Sequence, residues 1–199
     1  GATAVYRNVT LDGSPAALNG APIHLAATSI QAGYTLTVTP GTTLKMVAHG
    51  SLSAAGSGTL IAEGTPTLPI TITSQAATPA PGDWANLSAA SGSHVRLAYC
   101  DVSYAGYGGD PFTFYIWAGS DVQMSHCRVH HSAGNGLILG DVDVTGLFTD
   151  LEIDHNGGAP VVQTTQSMNP TYSNLRFHDN GTNALVIGGA TAVYRNVTL

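Results

Sequence analysis

Five segments in the second half of the chain share one layout, a short alternating strand followed by a turn rich in Asn, Gly, Asp or His. They are LAYCDVSYAG (97–106), MSHCRVHHSAGNGL (124–137), FTDLEIDHNGG (148–158), YSNLRFHDNGTNAL (172–185) and VYRNVTL (193–199). Aligned, their first inward positions are Cys100, Cys127, Leu151, Leu175 and Val197. Their second inward positions are Val102, Val129, Ile153, Phe177 and Leu199. The steps between them are 27, 24, 24 and 22 residues. Alternation with period two marks a strand with one buried face. Strands this far apart cannot be hairpin partners. They suit successive coils of a parallel solenoid, in which each coil adds short strands and turns and stacking buries one continuous apolar column. Further strands are visible at Leu137-Ile138-Leu139, Val161-Val162 and Leu185-Val186-Ile187.

A longer period encloses the shorter one. Residues 1–11 read GATAVYRNVTL, and residues 189–199 read the same, an offset of 188 residues. Fixed-period identity is the mark of a tandem array. The expected organisation is one repeat unit over residues 1–188, with residues 189–199 starting the next identical unit. Both ends fall within strand-like sequence without polar caps, so the solenoid is expected to be uncapped at both ends. Neighbouring copies of the same unit, stacked end to end, are then its expected partners.

Between these signals lie LTVTPGTTLKM, GSLSAAGSGTLIAEGTPTLPITITS and PGDWANL, leading into LAYCDVSYAG. This stretch resembles the right-handed parallel β-helix repeat proteins of bacterial surfaces and secretions, distant relatives of the pectate-lyase superfamily. The likeness runs from about Leu36 onward. It implies an all-β, right-handed parallel β-helix and an extracellular or cell-surface location. Dividing 188 residues into coils of about 27 predicts about seven coils and a rise of roughly 34 Å at ~4.8 Å per stacked strand. Pro40-Gly41 reads as a tight turn, and Gly64, Pro66 and Pro69 punctuate the edges of ITITS. The Pro-rich loop at 79–82 reads as an excursion from the solenoid, with Trp84 starting a strand after it.

Composition narrows the functions. Only 9% of residues are charged, Lys45 is the single lysine, and the formal net charge is −6. Nucleic acid is excluded as a partner, because phosphate binding needs clustered Lys and Arg. No apolar run approaches the ~20 residues that a membrane-spanning helix requires, so no membrane insertion is expected. Two cysteines are too few for a disulfide scaffold and fit no zinc motif. Cys100 and Cys127 share one inward position on successive coils; stacked buried thiols and a disulfide are both open readings.

The outward positions carry the charge. One column is Asp101, Arg128, Glu152 and Arg176, alternating in sign. The next is Ser103, His130, Asp154 and His178, and a third is Tyr99, His126, Asp150 and Asn174. Neighbours across a parallel stack lie close, so alternation serves as a ladder that fixes register. The competing reading is a carbohydrate site, in which Glu152 and Asp154 point the same way on one strand, as glycosidase carboxylates do. The Asn-Thr-Asp, Asp-Asp, Gly-His-Gly and Arg-Ile-Lys elements of polygalacturonase-like enzymes are missing, so no catalytic residue carries over from the resemblance. His126, His130, His131 and His155 suggest a metal cluster, but surface and turn histidines are commoner, and neither metal nor cofactor is expected. Asn135, Asn156 and Asn180 are expected at turns, where Asn tolerates left-handed backbone and can stack on its equivalents. The expected function is a structural repeat of an extracellular filament, stalk or adhesin shaft rather than an enzyme. The alternative is a module that binds or degrades polysaccharide, with surface glycans as partners.

Overall fold

In the computed structural model the described residues are 9–11, 22–109, 111–140, 145–164, 170–182, 186–187 and 193–198. They form strands, turns and bends only. The strands fall into three rows, each made of parallel neighbours from successive coils. Thr35–Val38, Thr59–Glu63, His94–Ala98, Asp121–Ser125 and Thr145–Thr149 belong to the first row. Ile23–Leu25, Thr43–Met46, Ile70–Ser74, Cys100–Ser103, Arg128–His130 and Glu152–Asp154 form the second. The strand Thr171–His178 runs through both, so the two rows make one 14-stranded sheet. The third row is a separate seven-stranded sheet from Thr28–Ile30 to Val186–Ile187.

Alternation sets the interior. Leu36, Leu60, Val95 and Val122 stack inward in the first row, followed by Val38, Ala62, Leu97, Met124, Phe148 and Tyr172. Gly146 sits where the first of these columns would place another branched residue. A Cβ there would overlap the ring of Phe148, which fills the space instead. In the second row Cys100, Cys127, Leu151 and Leu175 are buried, as are Val102, Val129, Ile153 and Phe177. Val197 stacks on Leu175 and is half-buried; Leu199 lies outside the described residues, as does Leu185. Both cysteines are buried free thiols. Cys100 donates to the carbonyl of Ala62 at 3.2 Å, and its contact with the Cys127 thiol, followed by burial, pushes its thiol pKa up.

Three expectations need correction. From Ile23 the second row steps through Leu44, Ile72, Val102, Val129 and Ile153 to Phe177. That is about six turns rather than seven, because the second-row coils do not keep one length but vary from 21 to 30 residues. Trp84 does not start a strand. It precedes Leu87–Ala89, is fully buried, and donates its indole N–H to the carbonyl of Ser103 at 2.8 Å. The 79–82 loop ahead of it is closed by Asp83, which accepts from Ser74 Oγ at 2.6 Å and Ala80 N–H at 2.9 Å.

The third correction concerns the corners. Left-handed backbone belongs to two stacked columns of larger residues, rather than to Asn135, Asn156 and Asn180. Tyr99, His126, Asp150 and Asn174, at φ of 49, 52, 54 and 53°, turn the chain from the first row to the second. Tyr104, His131, His155 and Asp179, at 65, 55, 52 and 55°, turn it out of the second row. Such positions cost about 1 kcal/mol or more each, and in the second column the residue after His155 supplies compensation. Asn156 Oδ1 accepts from the N–H of Ser132, and its Nδ2 donates to the carbonyl of Val129 at 3.2 Å and to Asn180 Oδ1 at 3.0 Å. This is a buried amide ladder tying three coils together.

Asn156→Ala is expected to destabilise the fold by about 2 kcal/mol, because it leaves the Ser132 N–H and the Val129 carbonyl without their partner in a buried corner. Urea denaturation checks this against Gln123→Ala on the exposed first-row face, for which a change of no more than about 0.5 kcal/mol is expected.

Candidate functional site

The charged residues singled out in the sequence lie on the outer face of the second row and its following corner. The register places Asp101 beside Arg128, Arg128 beside Glu152, and Glu152 beside Arg176. Most of the close pairs, however, run diagonally from one column into the next. Arg128 makes a two-pronged contact with Asp154, Nε to Oδ1 at 2.8 Å and Nη2 to Oδ2 at 2.6 Å. His130 reaches back one coil to Asp101 at 3.0 Å. Glu152 Oε1 takes Arg176 at 2.7 Å and His178 at 2.9 Å, and stands 4.0 Å from Arg128 through its other oxygen. A guanidinium is long enough to cross a coil and a column together, and doing so lets both its prongs meet one carboxylate.

Two of the expected outward residues are covered. The Asp154 side chain has no exposed surface beneath Arg128 and His155, whose Nδ1 lies 2.6 Å from it, and His130 is nearly as buried. The corner histidines cover them: His131 and His155 stack with ring centroids 5.0 Å apart and planes 2° from parallel. Tyr99 and His126 stack at the other corner at 4.5 Å, and the column continues through Asp150 to Asn174.

Ionisation follows the contacts. Burial works against the charge on Asp154, but the hydrogen bonds from Arg128 and His155 outweigh it and bring the pKa down to about 2. Asp179 first, then Glu152, raise that of His178. Burial, with His130 and His155 nearby, lowers that of His131 and favours the neutral ring.

Two family models match the chain. One, described as a pectate-lyase like beta helix domain, covers residues 7–113. The other, described as a right handed beta helix region, covers residues 83–199, more than half of the chain. The chain belongs to the right-handed parallel β-helix family. No curated protein and no solved structure matches it.

The β-helix thus presents a cross-linked charged face, and its chemistry is constrained by that cross-linking. A glycosidase needs one carboxyl with a raised pKa as the acid. Asp154 is moved the opposite way and both its oxygens are occupied. Asp154, His155 and His178 bring ligand atoms within 4.8 Å of one another, close enough for a metal ion. The Arg128 guanidinium already sits on both oxygens of Asp154, so a cation would meet a positive charge there; this donor set fits a metal poorly. The four histidines 126, 130, 131 and 155 do not converge: His126 faces Asp150, while His130, His131 and His155 follow one another along the second corner.

One surface feature escaped the reading of the sequence. On the outer face of the third row, Phe112, Tyr115 and Trp117 form an aromatic wall, with ring centroids 5.1 and 4.5 Å apart. The segment FTFYIW (112–117) carries the signal. Large rings alternate on both sides of that strand, so those facing outward need a reason other than the core.

Because the pKa of Asp154 lies below its unfolded value, its stabilisation is fully present above about pH 4 and is lost as pH falls through about 2. Asp154→Asn should remove that part of the acid limb and lower stability at neutral pH by about 2 kcal/mol. Chemical denaturation of both proteins between pH 2 and 7 checks it; an unchanged acid limb in the variant would contradict the assignment.

Proposed function

We propose that this β-helix is a non-catalytic structural module of an extracellular bacterial shaft, stalk or filament, repeated in tandem along its parent chain. The two-pronged Arg128–Asp154 bridge between coils carries this reading. It uses up the groups that an acid–base site would need free and spends them on fixing register between coils, as a rod requires. A surface of small polar residues with 9% charge supports the same reading, as does the 11-residue duplication.

The mode of joining follows from register. Val197 of the second copy stacks on Leu175 in the second row, whereas Val9 of the first copy pairs with Leu36 in the first row. Each stiff segment of about six turns would rise roughly 29 Å at ~4.8 Å per turn.

Electron cryo-microscopy of the full-length parent protein is expected to reveal rods made of such short segments in series; compact single particles would overturn the proposal. A depolymerisation assay on neutral and acidic glycans is the complementary measurement. No activity is expected from the parent protein, and activity abolished by Glu152→Gln would establish the polysaccharide-degrading alternative instead.

A further inference from the structure

Asn-Gly is the dipeptide that loses its side-chain amide most readily, because glycine leaves the following backbone nitrogen unobstructed as it turns onto the Asn Cγ. The described residues contain it at Asn135-Gly136, Asn156-Gly157 and Asn180-Gly181. The last two occupy the same corner on successive coils, and the stack demands both members of the pair. Asn is demanded by the amide ladder. Asn180 Oδ1 accepts the backbone N–H of Asn156 at 3.1 Å and its Nδ2 at 3.0 Å, while Asn180 Nδ2 donates to the carbonyls of Ile153 at 2.8 Å and His178 at 3.1 Å. Glycine is demanded by the space between coils. A Cβ on Gly181 would overlap the carbonyl of Gly157, and a Cβ on Gly157 would overlap that of Ala133. Neither glycine has a positive φ, so close stacking is what excludes a side chain.

The same stack blocks the chemistry. Attack requires the glycine nitrogen to give up its proton and swing onto Cγ. The N–H of Gly157 is held by the carbonyl of Ser132 at 2.9 Å, and that of Gly181 by the carbonyl of Asn156 at 2.7 Å. At the third pair, Gly136 N–H donates to the carbonyl of Ala159 at 3.0 Å, and Asn135 Oδ1 accepts the N–H of Ala159 at 2.8 Å. Reaction therefore waits on local opening, which is easiest where burial is least. Asn156 is 2% exposed and is bonded to the coils on both sides. Asn180 is half-buried, and Gly181 and Thr182 beside it are exposed.

We propose that Asn180-Gly181 is a self-modification site, closed while the corner is stacked and reactive when it opens. In the open state the Gly181 nitrogen passes its proton to solvent and bonds to Asn180 Cγ. The side-chain nitrogen takes up a proton and leaves as ammonia, which closes a five-membered succinimide. Water then adds at one of the two imide carbonyls, yielding aspartate at the side-chain carbonyl or isoaspartate at the main-chain one. No oxidant or cofactor is consumed. Both products oppose restacking. An aspartate sets a carboxylate oxygen against the carbonyls of Ile153 and His178, where an amide donor stood. An isoaspartate lengthens the main chain by one carbon and displaces Gly181 from the Asn156 carbonyl. The modification is one-way, and it concerns this corner whether or not the protein is a shaft.

The test is incubation of the intact chain at mildly alkaline pH, folded and in guanidinium chloride. Peptide mapping then separates the asparagine, aspartate and isoaspartate forms of each Asn-Gly peptide. In denaturant the three pairs are expected to react at similar rates. In the folded protein all three should be slower, by about tenfold or more, with Asn180 ahead of Asn156. Asn156→Ala removes a ladder donor but keeps the backbone carbonyl that holds Gly181. It should speed reaction at Asn180 several-fold and leave Asn135 unchanged. Gly181→Ala should lower the thermal midpoint, since its Cβ meets the Gly157 carbonyl. The proposal is overturned if Asn180 reacts as fast folded as in denaturant, if it gives no product in the folded chain, or if Asn156 precedes it. It is equally overturned if Asn156→Ala speeds Asn135 as much as Asn180, or if Gly181→Ala melts as the parent does.

Discussion

Stacking of like on like from coil to coil is the constraint on which the remainder of this structure depends. In a parallel row, each residue meets its counterpart 21 to 35 residues away, at nearly the same height in the coil and about 4.8 Å along the axis. Backbone hydrogen bonds hold the rows but carry no sequence information, so register has to come from side chains. Inside, it comes from apolar columns, which a slip of one residue would turn outward. At the corner after the second row it comes from Ser132, Asn156 and Asn180, whose polar atoms are satisfied only when the coils are aligned. Outside, the diagonal pairs from Arg128 to Asp154 and from His130 to Asp101 do the same.

These three devices differ in energetic character. The apolar columns are non-directional, and they tolerate exchanges such as Gly146 beside Phe148 provided that volume is conserved. The amide ladder is directional and buried, so its value lies mainly in the cost of breaking it. The ion pairs span the range between. Arg176–Glu152 is exposed enough for solvent to screen most of its attraction, but Asp154 is wholly covered and would be a liability without Arg128. The histidine stack at His131 and His155 matters here for shielding rather than charge: it excludes water from Asp154 and so strengthens the Arg128 contact.

The second row was legible in the sequence because its inward residues are large and its spacing regular. Cys100, Cys127, Leu151 and Leu175 could be aligned by eye, as could the alternating charges beside them. Periodicity reports which residues share a height, however, and not how far a side chain reaches. The guanidinium of Arg128 passes over its register neighbour to Asp154, and no spacing rule shows that. Corner geometry was obscured for a related reason. Asn and Gly are the usual residues for left-handed backbone, yet at these corners Tyr, His and Asp hold it at every described position but Asn174, with ring stacking and ion pairs between coils as compensation. Trp84 was misread because a buried indole just before a strand gives the same local pattern as one within it.

The aromatic wall was missed because outward and inward rings are equally good strand formers, and only the fold distinguishes them. Once placed, Tyr115 and Trp117 divide the surface of the β-helix into two kinds. On the second row, side chains are neutralised by their neighbours, and a ligand would have to displace bonds already made. On the third row, the outward rings of Phe112, Tyr115 and Trp117 pack on one another within one coil. A rod that interacts with its surroundings should do so where its own stability is least involved. In this fold the ring of Trp117 packs on Tyr115 of its own coil, whereas Arg128, Asp154 and Asn156 each bond one coil to another. Register is thereby carried by the second row and its corners, and the outer face of the third row can vary without loss of it.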